Sequence, residues 1–247
     1  MRLTVVGCGD AFGSGGRLQT CYLVEAADTR FLIDCGASAL IGFSRLGLDP
    51  NTVPTIFISH LHGDHYAGLV WWLLHAKHVA KRTAPLTVVG PAGVEARLKA
   101  AAEALFPGST TVPPRHELRF LELAREVRLR VGSVAVTPFE VSHPSGAPSY
   151  ALRFEAEGKV LSFTGDSEWV ESLVLAGQGA DLYVMECYQF EGGQRYHMSW
   201  STIRPHLARI ASKRVMLTHM AEAMLARRGE VVDPRVVLAE DGLVLDL

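Results

Sequence analysis

The chain has 247 residues, 48% hydrophobic and 20% charged, with a net charge of −2. That balance suits a folded core of ordinary size and excludes a disordered or fibrous chain. The acidic excess argues against a protein built to wrap long nucleic acid, which needs a strongly basic face. Four scattered cysteines, Cys8, Cys21, Cys35 and Cys187, form no CxxC pair and are expected as reduced, buried thiols.

The N-terminal "MRLTVVGCGDAFG" reads as a strand entering a glycine-rich turn. It lacks the charged segment and long apolar stretch of a signal peptide, so a cytoplasmic protein is expected. The strand-like runs "CYLVEA" and "RFLIDCG" follow at hairpin spacing, then "TIFISH". A helix is expected after Asp64, packed by Trp71 and Trp72; its apolar run "LVWWLL" is too short to span a bilayer, and no membrane partner is expected. After "LTVVG" at Leu86 to Gly90, "GVEARLKAAAEALF" sets Val94, Leu98, Ala101, Ala102 and Leu105 on one helical face. "PGSTTVPP" and "PSGAPS" read as short loops. The remaining strands are "VRLRV", "VAVTPFEV", "YALRFEA", "KVLSFTGD", "DLYVMEC" and "RVMLTH", with helices after Asp166, near Ser199 and after His219.

Early strands in hairpins and later strands alternating with helices favour an α/β or α+β sandwich over an all-β barrel. With no linker or repeat, residues 1–247 read as a single domain. Lys77, Lys81 and Arg82, then Arg125, Arg128 and Arg130, then Lys213 and Arg214 read as solvated basic faces, one of which could meet an anionic substrate. His75, His78, His116 and His206 read as non-catalytic.

The chemistry concentrates in "SHLHGDHYAG", where His60, His62, Asp64 and His65 stand as H-x-H-x-D-H. At an extended strand end, residues two apart point the same way, so His60 and His62 can grip one cation. The chain turns at Gly63, and Asp64 and His65 project from the helix start toward a second position. Imidazole and carboxylate donors suit zinc, with manganese or iron as alternatives. Three more donors sit where apolar strands end: His143, Asp166 and His219. A lone strand-end histidine is ordinarily a surface or core residue. Four donor-bearing strand ends in one chain point instead to the crevice where layered folds bind ligands.

"SHLHGDH" resembles the signature of the metallo-β-lactamase superfamily. The downstream order of His143, "TGD" at Asp166, "YHMS" at His197 and "LTH" at His219, with "GCGDAFGSGGR" and "FLIDCG", resembles its ribonuclease Z branch. The resemblance spans nearly the whole chain and implies a four-layer αββα sandwich with two divalent metal ions at the edge between the sheets. It implies His60, His62 and His143 on one metal, Asp64, His65 and His219 on the other, and Asp166 bridging. A bridging hydroxide would be the nucleophile, oriented by Asp64. His197 would protonate the leaving alkoxide, and Glu186 would orient His197.

One departure bears on substrate. Ribonuclease Z carries a long arm, inserted between the positions of His143 and Asp166, that grips transfer RNA; here the interval is 166 − 143 = 23 residues, room for two strands and a turn. The expectation is therefore a phosphodiesterase for a small anionic substrate, a cyclic nucleotide or short RNA. The alternatives are a thioesterase or lactonase like glyoxalase II, a transfer RNA 3′-end endoribonuclease, or a non-enzymatic metal-binding relative. A homodimer is expected by analogy with the branch.

Overall fold

A computed structural model describes residues 1–26 and 28–247. In chain order the strands are β1 (Arg2–Gly7), β2 (Cys21–Ala26), β3 (Thr29–Ile33), β4 (Thr55–Phe57), β5 (Leu86–Gly90), β6 (Leu118–Glu122) and β7 (Leu129–Val131). They continue with β8 (Val134–Val141), β9 (Ser149–Ala156), β10 (Lys159–Phe163), β11 (Leu182–Glu186), β12 (Val215–Thr218), β13 (Val236–Leu238) and β14 (Val244–Asp246). The helices are α1 (Ala39–Arg45), α2 (Gly63–Tyr66), α3 (Gly68–His78), α4 (Val94–Leu105), α5 (Ser172–Gly177), α6 (Trp200–Ile203), α7 (Leu207–Ile210) and α8 (Glu222–Ala226).

The strands form two sheets, in the orders β14-β1-β2-β3-β4-β5-β6 and β13-β12-β11-β10-β9-β8-β7. Side chains alternate across a strand, and here both faces are apolar. In β1, Leu3 and Val5 face the opposite way from Val6; in β11, Leu182 and Val184 oppose Tyr183 and Met185. A sheet apolar on both faces must be covered on both. Leu3, Val5, Phe31 and Phe57 of the first sheet pack against Phe154, Phe163, Val184 and Met216 of the second. Helices α1, α3 and α4 cover the outside of the first sheet through Phe43, Leu69, Trp72 and Leu98. Helices α5 to α8 cover the second through Leu173, Trp200, Leu207 and Met224. The result is the expected αββα arrangement, and no helix of the described residues is long and apolar enough to cross a membrane.

The hairpin reading holds for β1 to β3, which pair antiparallel; β3 to β6 then run parallel, as do β10 to β13. Parallel strands bring their C-terminal ends to one edge. Asp34 follows β3, His60 follows β4, Asp166 follows β10, Glu186 ends β11 and His219 follows β12. Below that edge Phe31, Phe57 and Phe154 pack with ring centroids 5.1–5.4 Å apart, fixing the base of the "SHLHGDH" loop. The seam is closed by Tyr150 N donating to Ser59 O at 3.1 Å and His219 N to Cys8 O at 3.0 Å.

Several sequence readings need correction. Leu105 is 51% exposed, because the apolar stripe of α4 ends a turn early, at Leu98 and the half-buried Ala101 and Ala102. Trp72 is buried against Phe43, whereas Trp71 turns outward beside Phe106. Arg82 belongs to no solvated face: buried, it donates to the carbonyls of Asn51, Ala84 and Pro85. The helix expected after Asp166 starts only at Ser172, and His206 lies in a 3-10 turn.

Helix α3 meets the end of β3 backbone to backbone, with Gly68 N donating to Cys35 O at 2.9 Å and Cys35 N to His65 O at 2.6 Å. A Cβ on Gly68 would lie 2.1 Å from Gly36 O and 2.6 Å from Cys35 O. Gly68→Ala ordinarily adds about 1 kcal/mol of helix propensity. Here the overlap should dominate, costing about 1–3 kcal/mol. Chemical denaturation of the variant should show lower stability than the parent.

Candidate active site

All nine predicted site residues converge at the seam edge. The "SHLHGDH" loop is short because β4 stops at Phe57 and α2 begins at Gly63, so the donors are presented by a tight strand-to-helix turn. His62 Nδ1 lies 2.9 Å from His143 Nε2, and with His60 these form a group of three donors. A second group holds Asp64, His65, Asp166 and His219. Here Asp64 Oδ2 is 3.1 Å from His219 Nε2 and 3.3 Å from His65 Nε2. Asp166 lies between the groups. Its Oδ2 is 3.8 Å from both His60 Nε2 and His143 Nε2 and 3.4 Å from His219 Nε2, while its Oδ1 is 3.3 Å from His65 Nε2.

Two donors on a tetrahedral zinc ion, each at about 2.0–2.1 Å, are roughly 3.3 Å apart. The separations above scatter about that value. The atoms facing the space between them are also unsatisfied: His60 Nε2, His65 Nε2 and Asp166 Oδ1 are buried without a hydrogen-bond partner. Such orphans cost about 1–3 kcal/mol each when nothing meets them. Spacing and orphaned lone pairs together fit two divalent cations.

The outer ring nitrogens are held so that the inner ones stay free. His65 Nδ1 donates to Asp34 Oδ2 at 2.6 Å, and His143 Nδ1 donates to Tyr196 O at 2.9 Å. Ser59 Oγ donates to Asp34 Oδ2 at 2.7 Å and is 3.0 Å from His60 Nδ1, whose proton it accepts. Asp34 also accepts from Ser59 N at 2.7 Å. One fully buried carboxylate thus orients a donor in each group. Sequence reasoning quoted "FLIDCG" but gave Asp34 no role; its one signal was an acidic residue ending an apolar strand.

Electrostatics divides the cluster. Burial holds His60 below the usual imidazole range and His143 down to about 4, so the first group is neutral. Burial also opposes charge on His65 and His219, but Asp166 and Asp64 outweigh it, lifting His65 well up and His219 to about 9. Beside these lies a separate pair. His197 Nδ1 is 3.2 Å from Glu186 Oε2, and Glu186 Oε1 accepts from Ser167 N at 2.6 Å. Burial works against the His197 charge, yet Glu186 overrides it and raises the ring; burial likewise raises Glu186. The His197 ring stacks on Tyr188 at 4.7 Å and lies parallel to His219 at 5.7 Å, so it overhangs the cluster.

Asp34→Asn tests the shared anchor, since asparagine tolerates the left-handed backbone at that position (φ 59°) while losing the negative charge. Zinc affinity, measured by competition with a chelator, should fall about 10–100-fold.

A family model described as anti-Pycsar protein Apyc1 matches residues 1–239. The ribonuclease Z of Mycobacterium bovis is 28% identical over 195 aligned positions, covering 74% of this chain and 69% of that protein. The ribonuclease Z of Ignicoccus hospitalis is 23% identical over 296 positions, covering 97% and 96%. Human tRNase Z, short form, superposes with a TM-score of 0.79 at 22% identity, covering 100% of this chain and 99% of that one. The metallo-β-lactamase fold protein YhfI of Bacillus subtilis gives 0.79 at 21%, covering 99% and 98%. At these identities the structural likenesses establish the fold. The chain is thus a metallo-β-lactamase fold protein of the ribonuclease Z-like branch, and it belongs to the anti-Pycsar protein Apyc1 family.

Proposed function

We propose that this chain is a two-metal phosphodiesterase acting on a small phosphodiester, a cyclic nucleotide or short RNA. His60, His62 and His143 would hold one ion and Asp64, His65 and His219 the other, with Asp166 placed between the two groups. Zinc suits this nitrogen-rich donor set. Two such ions supply an activated water and polarise the phosphoryl oxygens.

The observation that carries the reading is His197. Its ring lies with those of His143 and His219, with a ligand-type atom within 4.8 Å of those of His143 and Asp166, yet it is held by Glu186 instead of by the main cluster. A histidine whose hold on its proton is strengthened by a buried carboxylate is suited to give a proton to a departing alkoxide. Thioesters leave as thiolates and need no such donor. Asp64, buried within the cluster, can orient the attacking water through its carboxylate.

Substrate size follows from the interval between His143 and Asp166, which β9, β10 and their short loops fill completely. The Ignicoccus relative aligns over 296 positions, so at least 296 − 247 = 49 of its residues have no counterpart here. A chain without a long gripping arm suits a substrate that the pocket alone can hold.

Purified protein reconstituted with zinc should carry close to two ions per chain by elemental analysis, and His62→Ala should lose metal and activity together. Uptake at pH 7 should release protons, because His219 holds one below about 9 and must give it up to bind. Affinity should accordingly rise with pH toward that value.

His197→Ala should keep its metal and lose kcat by about 10²–10⁴-fold with little change in KM. The loss should be large for a ribose alkoxide leaving group and small for p-nitrophenolate. Equal losses for both would remove the acid role. Thioester hydrolysis faster than that of any diester, undiminished in this variant, would favour a thioesterase.

A further inference from the structure

Phe12 is 84% exposed, on the glycine-rich loop between β1 and β2. A bare phenyl ring in water costs free energy that burial would recover. A floppy loop would let it fold back onto apolar neighbours, but this loop is tied down. The buried carboxylate of Asp10 accepts from Phe12 N at 3.2 Å, Ser14 N at 2.9 Å and Ser14 Oγ at 2.8 Å. Gln19 Nε2 donates to Ala11 O at 3.2 Å, and Gly15 N donates to Glu222 Oε1 at 2.7 Å. Gly13 turns the chain back in the left-handed region (φ 69°). The loop spends a fully buried aspartate on holding an aromatic ring in solvent.

The loop borders the metal cluster. Cys8 O accepts from His219 N at 3.0 Å, two residues before Asp10. On the other side Gln19, which holds Ala11, lies against Gly36 and the backbone of Asp64: a Cβ at Gly36 would be 2.7 Å from Gln19 Cβ and 2.4 Å from Asp64 O. Tyr188 stacks on His197 at 4.7 Å, and its ring lies 6.0 Å from that of His219. The loop that carries Phe12 and the Tyr188 ring therefore both adjoin His219. The side chains shown to touch the loop, Gln19, Glu222 and Leu225, add no exposed large apolar surface. A protein partner needs roughly 800 Å² per side, whereas one rigid ring suits one flat ligand. Arg195, two residues before His197, is exposed, has no ion-pair partner among the described residues and rests over the Tyr196 ring at 4.6 Å. An exposed aromatic ring on a loop bonded to His219, and a free cation beside Tyr196, whose carbonyl holds His143, suit the base and phosphate of a nucleotide.

We propose that the Asp10-anchored loop is a nucleobase subsite, with Phe12 stacking on the base of a nucleotide whose phosphate lies at the metals. The assignment rests on the phosphodiesterase reading for the place of the phosphate, but binding tests it without turnover. The zinc-loaded protein is titrated calorimetrically with adenosine 5′-monophosphate and with ribose 5-phosphate, which lacks the base. Stacking of this kind makes the nucleotide bind about 5–100-fold tighter. Phe12→Ala should bring the ratio toward unity, and Phe12→Trp should restore it. Equal affinities in the parent protein, or a preference retained in Phe12→Ala, overturns the proposal. So does a shift from dimer to monomer on sedimentation of Phe12→Ala with the preference intact, which would make Phe12 an interface residue. A base preference without hydrolysis of any diester leaves the subsite standing and ends the phosphodiesterase reading. Hydrolysis without a base preference does the reverse.

Discussion

The carboxylate of Asp166 is the constraint around which the rest of the molecule is arranged. It is 3% exposed and has four imidazole nitrogens within 3.8 Å. A buried carboxylate is tolerable only where cations or donors meet it. Two of the rings, His60 and His65, come from the first sheet and two, His143 and His219, from the second. The charge balance of the site therefore exists only while the sheets are packed, and the Phe31, Phe57 and Phe154 contact beneath it is as much part of the site as the ligands. Cation binding should in turn favour the packed state by mass action.

The same arrangement explains what was legible in the sequence. H-x-H-x-D-H is local: strand and helix periodicity alone place His60 with His62 and separate them from Asp64 and His65. His143, Asp166 and His219 were legible as strand-end donors because a run of buried parallel or mixed strands leaves few polar residues at its edge. Their division between two ions is what the family resemblance implies. Asp34 was not legible, because its partners Ser59 and His65 are 25 and 31 residues away and only the β3–β4 pairing brings them near. Tyr196 contributes a carbonyl, which no side-chain pattern reveals.

The fold shows the same limit. Strands buried on both faces, such as β1, β5 and β8, were readable from apolar runs. The edge strands β6, β13 and β14 were missed; their residues are only partly buried, so their pattern blends with that of loops. Helix α1 was missed because its 7 residues are too short for a helical period to register, and it is fixed by contact with β1. Leu105 and Trp71 show the converse error, apolar residues assigned to the core by type that the packing leaves outside.

The chemistry and the choice of substrate are carried by different parts of the fold. Ligands and their anchors sit on strand ends fixed by both sheets, whereas Phe12, Tyr188 and His197 sit on loops attached to those ends. His197 joins the two: its ring hangs from a loop, yet Glu186, the last residue of β11, sets its charge. A loop can be lengthened, shortened or replaced at little cost to the core. The Ignicoccus relative, with at least 49 residues that have no counterpart here, still aligns over 97% of this chain. On the proposed reading, a proton donor fixed from the core and a rim supplied by loops would let one hydrolytic centre serve phosphodiesters of very different size.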